Sequence, residues 1–215
     1  MKVAKGILMA RVVKLERAGS AGILAGASCA FGVFDGVHRG HQFLIGCAKM
    51  DAMERGVPSA VLTFSVDPDE LFAPDRLVKL MSNEERIVTL AATGVDIVAV
   101  LPFDCAFAAL SPIEFLESTF GEKPPASMHV GEGFRFGSRG SGDARLLAEW
   151  GKQFGMYVSV HELLDMYGAP VSSSRIRKLL AEGRSREAER LLGHDTQEAA
   201  CQGKAGAKPG LLARK

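Results

Sequence analysis

The sequence predicts an α/β fold, a Rossmann-like, doubly wound parallel sheet of about five strands. Three observations lead there. Short apolar runs rich in β-branched residues recur at 58–64, 96–101, 127–130 and 156–160, after an opening apolar run at 23–34. Each reads as a strand buried on both faces, the pattern of a parallel sheet. Amphipathic stretches of helical period separate them, and strands alternating with helices through right-handed crossovers wind a sheet on both sides.

The elements follow in chain order. The run at 23–34 ends in a turn at Asp35-Gly36 and passes directly into a helix over 42–55, with Phe43, Leu44, Cys47, Ala48 and Met50 expected inward and Gly56 closing it. The strand at 58–64 follows, then a long Asp- and Pro-rich loop at 65–80. Ser82-Asn83-Glu84-Glu85 is a capping box and opens a helix that ends at Gly94. After the strand at 96–101, Ser111-Pro112-Ile113-Glu114 is a second capping box with Pro at the first helical position, and its helix runs to about Phe120. The strand at 127–130 leads into a Gly-rich loop at 131–142, a helix over 143–154 and the strand at 156–160. Two helices, 172–182 and 185–192, close the domain, which we expect over residues 1–194. Residues 195–215 hold Gly, Ala and Lys with few large apolar side chains, and read as a disordered tail.

A chain of 215 residues with 47% apolar content buries a full core. A formal charge of +1 gives no general basic field, so nucleic acid is not an expected partner. No apolar run approaches the ~20 residues that span a bilayer. The start of the chain, with Lys2 and Lys5, lacks the apolar core of a signal peptide. Cys29, Cys47, Cys105 and Cys201 form no Cys-x-x-Cys pair. They read as reduced thiols, the first three as small buried hydrophobes, and the protein as cytoplasmic. The oligomeric state is not legible.

In such folds ligands bind above the carboxyl ends of the strands. Phe34, Asp35, Gly36, His38, Gly40 and His41 sit at one strand-to-helix junction, where free backbone N–H groups and the helix dipole favour an anion. His38 and His41, three apart, share one side of the first turn and can face one phosphate. Gly40 lets a ligand approach the backbone. Thr63 to Pro68 and Gly131 to Gly142 also end strands, and Val171 to Arg177 starts a helix. Neither Gly-x-x-x-x-Gly-Lys-Ser/Thr nor Gly-x-Gly-x-x-Gly opens the first helix, which argues against a P-loop and against a nicotinamide dinucleotide. Taken singly, each signal has a plain alternative. His-x-x-His could be a metal pair, although no third ligand at zinc spacing accompanies it. Ser172, Ser173 and Ser174 could only cap a helix, Gly131 to Gly142 could be only a connection, and His129, His161 and His194 read as structural or surface residues.

Together the motifs resemble a known family. Phe34-Asp35-Gly36-Val37-His38-Arg39-Gly40-His41-Gln42 is similar to the His-x-Gly-His signature of nucleotidyltransferases, in the form found in bacterial FAD synthetases (FMN adenylyltransferases). Val171-Ser172-Ser173-Ser174-Arg175-Ile176-Arg177 resembles that family's Ile-Ser-Ser-Thr-x-Ile-Arg, and Gly131-Glu132-Gly133-Phe134-Arg135-Phe136-Gly137 its flavin-side loop. Thr63-Phe64 followed by Pro68 stands where the family has Thr-Phe-x-Pro-His-Pro. The resemblance implies transfer of an adenylyl group from ATP to FMN, with Mg²⁺. It implies His38, His41 and Arg177 as catalytic residues and Phe34, Asp35, Gly36, Gly40, Ser172 and Ser173 around ATP. Thr63, Phe64, Asp67, Gly131, Phe134 and Arg135 fall on the flavin side. No residue is assigned to a metal.

Three departures matter. Asp67 occupies the Pro-His region and would put a carboxylate near the phosphates, unless it turns outward, binds Mg²⁺ or pairs with an arginine such as Arg76 or Arg135. Gly133 stands where the flavin loop has Asp or Asn. Leu191-Leu192-Gly193-His194 matches the point where bifunctional members enter a riboflavin kinase domain, whose Pro-Thr-Ala-Asn signature is absent, so the chain resembles a stand-alone module. The alternatives are a nucleotide- or flavin-binding pseudoenzyme of the same fold, or nucleotidyl transfer to another phosphorylated small molecule.

Overall fold

The computed structural model describes residues 10–16, 20–75 and 77–193. The expected tail, with Arg76, His194 and Cys201, lies outside them. Strand β1 (Arg11–Lys14) comes first, followed by β2 (Ser28–Phe31), β3 (Ser59–Phe64), β4 (Ile97–Leu101), β5 (Ser127–Gly131), the short β6 (Arg135–Phe136) and β7 (Gly142–Asp143), and β8 (Tyr157–His161). Six of them form one parallel sheet in the order β1-β4-β3-β2-β5-β8, and β6 and β7 make a small antiparallel ribbon. The sheet therefore has one strand more than expected. Its Arg-Val-Val-Lys sequence carries only two apolar residues, with Arg11, Val12 and Lys14 exposed. An edge strand with basic ends has no need of a continuous apolar run.

The helices are α1 (Arg39–Arg55), α2 (Pro68–Phe72), α3 (Asn83–Ala92), α4 (Cys105–Ala108), α5 (Pro112–Phe120), α6 (Ala144–Lys152), α7 (Ser173–Ala181) and α8 (Ser185–Leu192). Alternate residues of the central strands face opposite layers. Ala30, Val61, Val98 and Val100 pack with Leu44, Ile45 and Ala48 of α1 and Leu90 of α3. Phe31, Leu62, Ala99 and Met128 pack on the other side with Phe115, Leu116 and Phe120 of α5 and Leu147 and Trp150 of α6. Both expected capping boxes form: Ser82 accepts from the Glu85 N–H, Ser111 from the Glu114 N–H, and each glutamate returns to its cap's N–H.

Local corrections follow. The buried stripe of α1 is Leu44, Ile45, Ala48 and Ala52, while Phe43 and Met50 are exposed. Apolar residues are spread around this helix, so period alone could not phase it. The expected loop at 65–80 contains α2, capped by Asp67. Cys105 is exposed rather than buried. Among the described residues no helix is long and apolar enough to cross a membrane.

Candidate active site

The chain leaves β2 toward β3 on one side and returns through β5 on the other. This is a topological switch point, where doubly wound sheets open a crevice. A cavity of ≈ 370 Å³ lies there, lined by Phe34, His38, Gly40 and His41 after β2, Gly131 and Phe134 after β5, His161 at the end of β8, and Ser172 and Ser173 at the start of α7.

The turn after β2 is strained. Phe34 has φ 61°, Gly36 φ 81° and Val37 φ 38°. Non-glycine residues rarely adopt positive φ, and a β-branched one costs most. At Gly36 a Cβ would fall 2.7 Å from a Leu80 methyl and the residue bearing it would have to adopt φ 81°, so glycine is strongly favoured. The turn delivers His38 as the N-cap of α1, with its Nδ1 accepting the His41 N–H at 3.3 Å. That contact fixes the neutral tautomer and leaves Nε2–H as a donor. The two imidazoles stack, with centroids 3.5 Å apart, and the Phe34 ring meets His41 edge-on at 5.2 Å. Burial lowers the His38 pKa to about 4. Burial, with the His38 and Arg86 charges, holds His41 well below the usual range. Among the described residues the buried Nδ1 of His41 has no hydrogen-bond partner. Gly40 has a packing role, since a Cβ there would lie 3.2 Å from the His38 ring and from the Val171 carbonyl.

Arg177 and Asp35 do not line the cavity. The Arg177 guanidinium donates to Asp35 Oδ2 and, through Nε, to the Val78 carbonyl, each at 2.7 Å. Asp35, almost fully buried, also accepts the Leu80 N–H at 3.2 Å. Ser173 Oγ donates to the Asp35 carbonyl at 3.0 Å, and Ser172 Oγ accepts the Arg175 N–H at 3.3 Å. Arg175 sends Nη1 to the carbonyls of Met166, Ala169 and Pro170.

A second cavity, ≈ 660 Å³, is lined by Val33, Phe64, Phe72, Phe103, Phe115, Arg135 and Phe136. The Phe134 and Phe136 rings stack at 5.7 Å, and each lines one of the two cavities. Thr63 is buried and donates to the Val33 carbonyl at 3.1 Å, and it lines neither cavity. Asp67 also lines neither. Its carboxylate accepts the Asp69 N–H at 3.0 Å while its own N–H donates to Glu70. Its burial raises its pKa. Gly133 adopts φ 78°, the left-handed region that Asn and Asp also tolerate. A glycine meets that backbone demand without strain.

Sequence reasoning missed Arg86. Only 2% exposed, it donates to the carbonyls of Val33 and Phe64, to Thr63 Oγ1 at 3.3 Å and to Asn83 Oδ1 at 3.0 Å. It thus joins the ends of β2 and β3. A signal was present: a cation in the first turn of a helix opposes the dipole, which hints at a binding site for it elsewhere. His161 was also missed as a wall residue.

Residues 21–175 match the family model described as FAD synthetase. The bifunctional riboflavin kinase/FMN adenylyltransferase of Escherichia coli (strain K12) is 35% identical over 171 residues, which is 79% of this chain and 55% of that protein. The protein of the same description from Haemophilus influenzae is 35% identical over 176 residues, 80% and 56% of the two chains. That of Bacillus subtilis (strain 168) is 32% identical over 166 residues, 76% and 52%. The chain thus spans about half the length of these curated relatives. Among solved structures, a macrolide-efflux protein from Streptococcus pneumoniae superposes with a TM-score of 0.74 at 26% identity, covering 86% of this chain and 62% of that one. With the family model matching residues 21–175, well over half of the sequence, this chain belongs to the FAD synthetase family.

Proposed function

We propose that this chain transfers an adenylyl group from ATP to FMN, giving FAD and pyrophosphate. The observation that carries the reading is the pairing of two cavities on either side of the stacked Phe134 and Phe136, with His38 and His41 in the wall of the first. The first cavity, with His38, His41 and the serine-bearing start of α7 in its wall, suits the nucleotide, and the phenylalanine-lined second suits a flavin ring. An FMN phosphate oxygen attacks the α-phosphorus of ATP. The bond from that phosphorus to the bridging oxygen breaks, and pyrophosphate leaves with the electron pair. No side chain need act as nucleophile. What the protein supplies is positioned donors for the charge on the phosphoryl oxygens. His38 offers Nε2–H. The start of α7 offers backbone N–H groups, held in place by Ser173 and Arg177 through Asp35. The buried Arg86 guanidinium adds a fixed positive charge close enough to bias His41.

Among the described residues no group of three His, Cys, Asp or Glu side chains is arranged to hold a metal ion. No residue is therefore assigned to Mg²⁺, and we take the ion as part of the substrate, carried on the triphosphate. Cys29, Cys47 and Cys105 are free thiols, which fits a reducing cytoplasm.

The test is incubation with ATP, Mg²⁺ and a set of phosphorylated acceptors, with products separated by mass. FAD from FMN is the expected product. His38→Ala and His41→Ala should each lower its rate by ~10²–10³. Binding of ATP and FMN without FAD would favour a nucleotide- and flavin-binding protein. A mononucleotide adduct of another acceptor would replace FMN. Rates within threefold of the parent for both variants would remove the histidines from the chemistry.

A further inference from the structure

A chain of hydrogen bonds runs from α1 to the wall of the first cavity. Asp51 on α1 accepts from Arg55 Nε at 2.7 Å and from the Ser127 hydroxyl. His129 on β5 places Nε2 3.4 Å from Asp51 Oδ2 and 3.2 Å from Ser28 Oγ. Its other nitrogen, Nδ1, lies 2.9 Å from His161 Nε2. His161 lines the cavity, its ring set by the edge-on Phe43 at 6.2 Å.

The Asp51 carboxylate beside His129 favours one arrangement of protons along this chain. Its hydrogen bonds hold the Asp51 carboxyl well below the usual range, so it is an anion and accepts only. A proton on His129 Nε2, directed to Asp51 and Ser28, avoids setting a lone pair against that carboxylate. Burial keeps His129 neutral, so its Nδ1 is a lone pair. His161 Nε2 must therefore donate. His161 is itself held toward the neutral form, by burial and by His129, which leaves its Nδ1 as an acceptor. Among the described residues that nitrogen has no hydrogen-bond partner.

We infer that His161, oriented by His129 and Asp51, offers Nδ1 as a hydrogen-bond acceptor to the nucleotide base and so selects a purine bearing an exocyclic 6-amino group over a 6-oxo purine. The inference rests on the proposed nucleotide site. An amino group donates to Nδ1, whereas a 6-oxo group sets lone pair against lone pair. A site built to hydrogen-bond one group leaves its own polar atom unpaired when that group is missing, which is the stronger form of discrimination. His161 is the specificity residue, and His129 and Asp51 are positioning residues.

The test measures binding of ATP, ITP and purine riboside triphosphate, which lacks any 6-substituent, by calorimetry with the full chain. The parent should hold ATP roughly tenfold tighter than purine riboside triphosphate, about the worth of one good hydrogen bond, and ITP more weakly still. His161→Ala should bring ATP and purine riboside triphosphate within twofold of each other. Long-range ¹H–¹⁵N NMR of the parent should find His161 protonated at Nε2 and bare at Nδ1. Asp51→Asn should blur that signature and shrink the ATP preference, while a melting curve checks that the variant folds. Nδ1–H at His161 in the parent overturns the inference. So does an ATP preference that survives His161→Ala in a protein that still makes FAD, and this result leaves the proposed reaction standing. No binding of any triphosphate by the parent overturns both.

Discussion

Arg177→Ala should loosen the fold as well as the nucleotide site. The side chain makes two charge-assisted contacts, to Asp35 Oδ2 and to the Val78 carbonyl, each at 2.7 Å. Hydrogen bonds involving a charged group contribute ~1.5–3 kcal/mol each. The arginine side chain is 25% exposed, which discounts both toward the lower end. Its partner Asp35 is only 6% exposed, so truncation leaves a buried carboxylate with the Leu80 N–H at 3.2 Å. The sum is about 2–4 kcal/mol, or roughly 5–15 °C in Tm for a chain of this length. Arg177→Lys should regain less than half, since one ammonium cannot span both acceptors in the planar fork. Urea unfolding of Arg177→Ala, Asp35→Ala and the double variant isolates the pair, with an expected coupling of about 1.5–3 kcal/mol. Affinity for an ATP analogue should fall in Arg177→Ala too, because the same contacts set the start of α7 against the cavity. Melting within 1 °C of the parent, or strictly additive losses, would show that the pair carries no weight.

Two further outcomes are expected. The unfolded chain binds a proton at His38 near pH 6.5, while the folded protein refuses it until about pH 4. Stability therefore rises with pH between those values and is lost as pH falls through them, by at most ~3 kcal/mol. Urea midpoints at pH 7 and pH 4.5 should differ less in His38→Asn than in the parent, and an equal difference would place the acid sensitivity elsewhere. Asp67→Asn should keep the α2 cap and change stability by less than ~0.5 kcal/mol, whereas Asp67→Ala should lose about 1 kcal/mol. Flavin fluorescence titration should find FMN affinity in Asp67→Asn within threefold of the parent, and a tenfold tightening would reinstate a repulsive carboxylate in the flavin site.

The elements that the sequence states most clearly are those fixed by near neighbours. Ser82 with Glu85 and Ser111 with Glu114 are four-residue signals, and both helices start where those signals put them. The strands at Ser59–Phe64 and Ile97–Leu101 are buried throughout, and their continuous apolar runs follow from burial on both faces. β1 was hidden because an exposed edge asks little of its side chains. Asp67 carries a local signal that the motif comparison obscures. Read against a motif it is a misplaced charge, and read locally it begins Asp67-Pro68-Asp69-Glu70, a cap, a proline at the first helical position and a reciprocal glutamate.

The site divides in the same way. His38, His41 and the serines announce themselves because a strand-to-helix turn and a helix start gather them within a few residues. Arg86 and the Asp51–His129–His161 chain do not, because their partners are 53 to 78 residues away for Val33 and Asp51, and only the sheet order brings β2, β5 and β8 together. The same reasoning bears on the last two helices. The turn holding Phe34, Gly36 and Val37 is strained, at roughly 1–3 kcal/mol for each non-glycine residue. Such strain persists only where surroundings over-determine it. Here several of the restraints come from beyond the matched residues 21–175. Arg177 holds Asp35, Gln42 Nε2 donates to the Leu192 carbonyl at 3.0 Å, and Arg39 Nε donates to the Arg190 carbonyl at 2.9 Å. Leu80 and Leu192 close over Gly36. α7 and α8 thus do two things at once: they bring the serine-bearing helix start to the cavity, and they hold the histidine turn in a conformation it would not keep alone.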